Sequence, residues 1–129
     1  MTAEHRDLNP HLMEWEIEEL RIPVPDSLGI FVGIGDRFIR VPRSVDQKIR
    51  SKHANVLDKY LALSQSLKDW DAIRVRENRT EVYFSPDDRG NRLMALIGHD
   101  RNGSLNLISM YLVRQRNWRN RELVFREQR

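Results

Sequence analysis

"AIRVRENRTEVYFSPDDRGNRLMALIGHDRNGSLNLISMYLVRQ", residues 72–115, decides the fold class of this chain. Four short runs in it, "AIRVRE", "TEVYFS", "RLMALIGH" and "SLNLISMYLVRQ", are rich in β-branched, aliphatic and aromatic residues. The separators Asn78-Arg79, "PDDRGN" and "DRNG" carry turn chemistry. Such short separators make consecutive runs antiparallel neighbours, a meander. "LMALI" is apolar on both faces, as a central strand requires. The last run alternates, with Leu105, Leu107, Ser109, Tyr111 and Val113 on one face and Ile108, Met110 and Leu112 on the other.

Upstream of these runs the period changes to that of a helix. Ser44 reads as an N-cap and Asp46 suits a first helical turn. From there to about Leu67, Val45, Ile49, Val56, Tyr60, Leu63 and Leu67 fall on one stripe at helical spacing, uninterrupted by Pro or Gly. His53 lies inside that stripe, and Lys48 and Lys52 lie along its flank. Before the helix, Ile30-Phe31-Val32 and Phe38-Ile39-Arg40-Val41 flank Gly35-Asp36 and read as a β-hairpin. The expected class is therefore α+β: an N-terminal hairpin, one long helix, then a four-stranded antiparallel meander sheet with the helix on one face. The uncovered face of that sheet is a candidate binding surface.

The 129 residues bound a single domain, here read as residues 30–129 preceded by an acidic arm, residues 1–29. The arm holds seven acids against Arg6 and Arg21, a charge of −5, while residues 30–129 carry +8 within a net charge of +3. Arginine dominates the basic set, and its planar fork suits phosphate. With no cysteine there is neither a disulfide nor a thiolate metal site. His5, His11, His53 and His99 do not fall at metal-ligand spacing, so neither a metal nor another cofactor is expected. The chain shows no apolar run of membrane-spanning length and no signal peptide, which fits a cytoplasmic protein.

Four short segments carry a resemblance. The helix reads Lys48-Ile49-Arg50-Ser51-Lys52-His53, and the link after it reads Trp70-Asp71-Ala72-Ile73-Arg74. The last strand reads Leu107-Ile108-Ser109-Met110-Tyr111, and the tail reads Trp118-Arg119-Asn120-Arg121. In order and spacing, over residues 30–121, they resemble the phage-associated nucleases of the barnase–EndoU–colicin–RelE fold. The chain departs from that pattern at Lys48, where the family has a histidine, and in the link, which lacks the family's proline.

The resemblance implies a small metal-independent endoribonuclease of phage or toxin type. Such an enzyme cleaves RNA by attack of the 2′-hydroxyl on the adjacent phosphate. It needs a base, an acid and cations for the phosphorane. Imidazole is the side chain suited to proton transfer near neutral pH, which makes His53 the candidate base or acid, with Lys52 beside it for positive charge. Ser109 can donate to a phosphate oxygen, and Tyr111 can do so or stack on a base. Lys48, Arg79, Arg114, Arg116, Arg119 and Arg121 are the candidate RNA contacts. His99, next to Asp100, is a further acid–base candidate.

Each residue also has a plainer explanation: His53 as a hydrogen-bonded core residue, Ser109 and Tyr111 as parts of a sheet, the cations as a solvated surface. A non-enzymatic nucleic-acid-binding, phage-inhibitor or adaptor module on the same fold is accordingly the alternative. RNA is the expected partner. A protein partner, such as an antitoxin, an immunity protein or a host factor, would use the acidic arm.

Overall fold

The computed structural model describes residues 19–28, 38–101 and 103–126. Its centre is a seven-stranded sheet in the order β1-β2-β6-β5-β4-β3-β7. The strands are β1 (Glu19–Pro23), β2 (Phe38–Pro42), β3 (Ala72–Arg76), β4 (Arg79–Tyr83), β5 (Arg92–His99), β6 (Leu105–Val113) and β7 (Val124–Phe125). The four runs expected as a meander pair consecutively and antiparallel as β3 to β6. The sheet is nevertheless mixed, which corrects the expectation of a four-stranded antiparallel one. β2 lies parallel to β6 through Ile39↔Leu105 and Arg40↔Asn106, β1 extends beyond β2, and β7 adds at the far edge. These extra pairings join residues distant in sequence, and no local pattern announces them.

The expectation of one long helix also fails. The segment breaks into α1 (Arg43–Lys52), a 3₁₀ turn (Ala54–Val56), α2 (Leu57–Leu61), α3 (Leu63–Ser66) and a second 3₁₀ turn (Leu67–Asp69). The helix starts one residue before Ser44, with Pro42 rather than Ser44 as N-cap. It breaks at His53, with φ −126° and ψ 49°, and again at Ala62, with φ −109° and ψ 38°. A straight helix from Ser44 to Leu67 would run about 36 Å and overshoot strands of five to nine residues. Breaking keeps the apolar stripe on the core: Ile49, Val56, Tyr60, Leu63 and Leu67 are all buried, and Val45 packs against them. A buried Asp46 fixes the bend, accepting a 2.5 Å bond from the Tyr60 hydroxyl and bonds from Arg50 Nε.

The broken helix covers one face of the sheet, where Ile22, Ile39, Val41, Ile73, Val82, Ala95, Ile97, Leu105, Leu107 and Met110 form the main core. The other face is not bare throughout. Across its upper part runs the segment that follows β6, containing α4 (Gln115–Trp118), and Trp118 and Leu123 pack there on Ala72, Tyr83, Met94 and Val113. Arg92 locks this layer: its guanidinium lies 4.4 Å from the Trp118 ring centroid and donates to Asp71 and to the Phe84 carbonyl. Pairing shifts register between Leu96 and Ile97, which leaves Ile108 as a bulge in β6.

The described part of the arm belongs to this fold. Glu19–Pro23 is an edge strand, and Ile22 and Leu28 are buried. Residues 1–18 lie outside the described residues, as does the expected Ile30–Val32 half of the hairpin. Phe38–Pro42 pairs instead with β1.

Candidate nucleic-acid interface

Strand alternation assigns each residue to a face, and register then lines up residues from different strands. Because Ile22, Ile39, Leu105, Ile97 and Ile73 point into the main core, their neighbours Arg21, Arg40, Asn106, Gly98 and Arg76 share the opposite face. The pairings Arg21↔Arg40, Arg40↔Asn106, Asn106↔Gly98, Gly98↔Arg79 and Arg79↔Arg76 make one cross-strand row. Four of its six positions are arginine. At about 4.8 Å per strand the row spans about 24 Å. Arg21, Arg76 and Arg79 are exposed and Arg40 is half-buried. Ile108 lies over Gly98, where an added Cβ would meet its Cδ1 at 2.8 Å, so the middle of the row holds an apolar spot beside Asn106.

The next row up the sheet is Ser109, Leu96, Glu81 and Arg74, and the one after is Tyr111, Met94, Tyr83, Ala72 and Phe125. Glu81 is buried and collects the cations around it. Arg121 Nη1 stands 3.4 Å from its Oε1, while Arg74 Nη1 and Arg76 Nη1 stand 3.5 Å and 4.0 Å from its Oε2. The Tyr83 hydroxyl donates to Glu81 and accepts from Arg121 Nη1 at 2.6 Å. Burial, then the bond to Glu81, pushes the Tyr83 phenol up to about 12, so it stays a neutral donor. Contact with Tyr83 and the charge of Glu81 raise Arg121 further above its ordinary value against the opposing effect of burial. A single carboxylate thus orders arginines from two elements and leaves an excess of positive charge on the face.

His53 stands at the margin of this surface, not in the middle of a helix. It caps the C-terminus of α1, its N–H donating to the Ile49 carbonyl at 3.0 Å, and its ring centroid lies 6.0 Å from that of Tyr111. It is half-buried, which corrects the picture of a core position inside an unbroken stripe. Lys52, next to it, is exposed. Lys48 is held: its ammonium donates to the carbonyl of the bulged Ile108 at 3.2 Å and closes the edge of β6 that β2 leaves unpaired. Ser109 is buried two residues from Tyr111 on the same strand.

The structure therefore places His53 beside Tyr111, with the buried Ser109 two residues away on the same strand and the exposed Lys52 next to His53 in the chain. Arg79 is on the same face but at the opposite end, as the first residue of β4 and not part of the turn. Arg114, Arg116 and Arg119 are exposed around α4, with Arg119 5.9 Å from the Trp118 ring. His99 is elsewhere too, its Nε2 2.8 Å from Thr80 Oγ1, and burial lowers its pKa. Arg21, Arg40, Arg74 and Arg76, together with Glu81 and Tyr83, form part of the surface without having stood out in the sequence. For Arg40, Arg74 and Arg76 the signal was the polar half of the alternation in "FIRVP" and "AIRVR".

The helical side of the molecule has the opposite character. A groove of about 420 Å³ there has a floor of Val56, Phe84, Leu93 and Leu112 and a rim bearing Asp58, Asp69 and Asp87, which repels phosphate. Among the described residues no three His, Cys, Asp or Glu are grouped to hold a metal ion, and no helix is long and apolar enough to cross a membrane. Compared with protein-family models, curated proteins and solved structures, the chain matches none.

Proposed function

We propose that this protein binds RNA across the arginine row of its sheet and cleaves it without a metal. The observation that carries the reading is the row itself, with the His53–Tyr111 pair opening on the same face. Arginine forks take the backbone phosphates, and the apolar spot around Ile108 and Leu96 accommodates an unpaired base. In the reaction, His53 takes the proton of the 2′-hydroxyl as that oxygen bonds to phosphorus, the resulting imidazolium returns the proton to the 5′-oxygen as its bond to phosphorus breaks, and the Tyr111 hydroxyl donates to the phosphate. Arg121, already positioned by Tyr83 and Glu81, supports the charge of the phosphorane.

A second reading rests on Lys48. The resembling nucleases have a histidine at this position, and here the side chain is occupied with the Ile108 carbonyl. That favours a binding module that retains the RNA surface without the chemistry.

Incubation of single-stranded RNA with the protein in EDTA, at several values between about pH 5 and 8, separates the two. Cleavage should leave 2′,3′-cyclic phosphate ends, and His53→Ala should abolish it while RNA binding and the thermal midpoint stay unchanged. RNA bound but intact at every pH would leave the binding module; RNA not bound at all would overturn both readings.

A further inference from the structure

Among the described residues, three of the four exposed large apolar side chains lie together at one edge of the sheet: Val75 at 53%, Val124 at 53% and Phe125 at 54% exposure. β7 covers only the beginning of β3, through Ala72↔Phe125 and Ile73↔Val124. The chain before Val124 turns away over the sheet, where Leu123 packs on the second core and Arg121 reaches Tyr83. Among the described residues, no strand pairs with the outer edge of β3 from Arg74 to Arg76.

The backbone of that edge faces outward at Val75. The two-residue turn Glu77–Asn78 closes the β3–β4 hairpin at Arg76↔Arg79, so Arg76, Arg74 and Ala72 turn their peptide groups toward β4. Ile73 and Val75 turn theirs away. Ile73 meets β7, whereas the N–H and C=O of Val75 have no partner among the described residues. An open peptide beside exposed valines is a template for strand addition.

The neighbouring charges choose the occupant. Arg74 and Arg76 flank Val75 on the opposite face. An antiparallel copy of β3 would set arginine against arginine; like charges across a pair are destabilising. We propose that the edge Arg74–Arg76 docks an extended acidic segment of a partner protein, added as a strand in which carboxylates alternate with apolar side chains. The carboxylates meet Arg74 and Arg76, the apolar residues cover Val75 and Val124, and Val75 supplies the backbone bonds. The two arginines thereby disfavour pairing with a second β3 and select an acidic strand.

The probe is a synthetic peptide, Ser-Leu-Glu-Val-Glu-Trp-Glu-Leu-Ser, which has this alternation and does not occur in the chain, with a scrambled peptide of equal composition as control. Titration into the full chain should show saturable binding of the alternating peptide and at least about tenfold weaker binding of the scrambled one, for the loss of paired backbone bonds and alternation. Val75→Pro removes an N–H that the fold does not use and should lower peptide affinity by roughly tenfold while leaving RNA binding unchanged. Should that variant fail to fold, the alternating peptide N-methylated at two successive central amides tests the same bond on wild-type protein and should bind as weakly as the scrambled one. Equal affinity for both peptides, or full affinity of the N-methylated peptide, would overturn the proposal. So would sedimentation showing a dimer of the chain that Arg76→Glu strengthens. Peptide binding is read without RNA, so it stands or falls apart from the proposed nuclease.

Discussion

Replacing Arg76 and Arg79 together by alanine should flatten the salt dependence of RNA binding by a calculable amount. Register sets Arg21, Arg40, Arg76 and Arg79 in one row, and Arg74 stands in the row above. If each of the five takes one phosphate of a single strand, log K against log salt has a slope of about −3.5, at about −0.7 per contact. Without two of them the slope is about −2.1. Between about 50 and 200 mM salt the parent would then lose roughly 130-fold in affinity and the variant only about 18-fold. The fold should tolerate the change, since both side chains are exposed and Arg76 reaches Glu81 only at 4.0 Å. Fluorescence anisotropy of a labelled single-stranded RNA, repeated across the salt series, measures both slopes, and thermal melts check folding. The reasoning is refuted if the variant keeps the parent's slope, or if affinity falls by the same factor at every salt concentration.

Tyr83→Phe removes the hydroxyl shared by Glu81 and Arg121, and should cost about 1–3 kcal/mol in denaturant unfolding. Because the phenol titrates near 10 when unfolded and is raised to about 12 when folded, its contribution is complete below pH 10 and lost as pH rises toward 12. Alkaline melts of the variant should lack that component; unchanged alkaline sensitivity would refute the assignment. Lys48→Met keeps the aliphatic stem and deletes the bond to Ile108, and should lower stability by about 1.5–3 kcal/mol; a midpoint equal to that of the parent would show the contact to be idle. Gly90 has φ +80° in the loop that Asp87 organises, with Gln115 atoms 2.9 Å from where a Cβ would stand. Gly90→Ala should therefore destabilise by about 1 kcal/mol or more, and calorimetry showing no change would remove the strain argument.

Much of the local structure was legible in the residues. Turn chemistry at "PDDRGN" and "DRNG" and the period of the intervening runs located β4, β5 and β6 as consecutive antiparallel neighbours. The stripe Ile49, Val56, Tyr60, Leu63 and Leu67 was read as buried, and it is. The helix breaks at His53 and Ala62 were not legible, because neither Pro nor Gly marks them; they follow from the limited length of the sheet underneath.

What the sequence alone determines here is which residues alternate and which recur at helical spacing, since both depend on near neighbours. It also determines the chain's charge and its division between an acidic beginning and a basic remainder. Which strands become neighbours is settled only by tertiary structure, through pairings such as Ile39↔Leu105 that close long loops and draw their stability from burial shared across the whole sheet. Arg21, Arg40, Arg76 and Arg79 are scattered through the sequence, and only that register makes them one row. The same packing moves His53 from the middle of an imagined helix to its end, beside Tyr111.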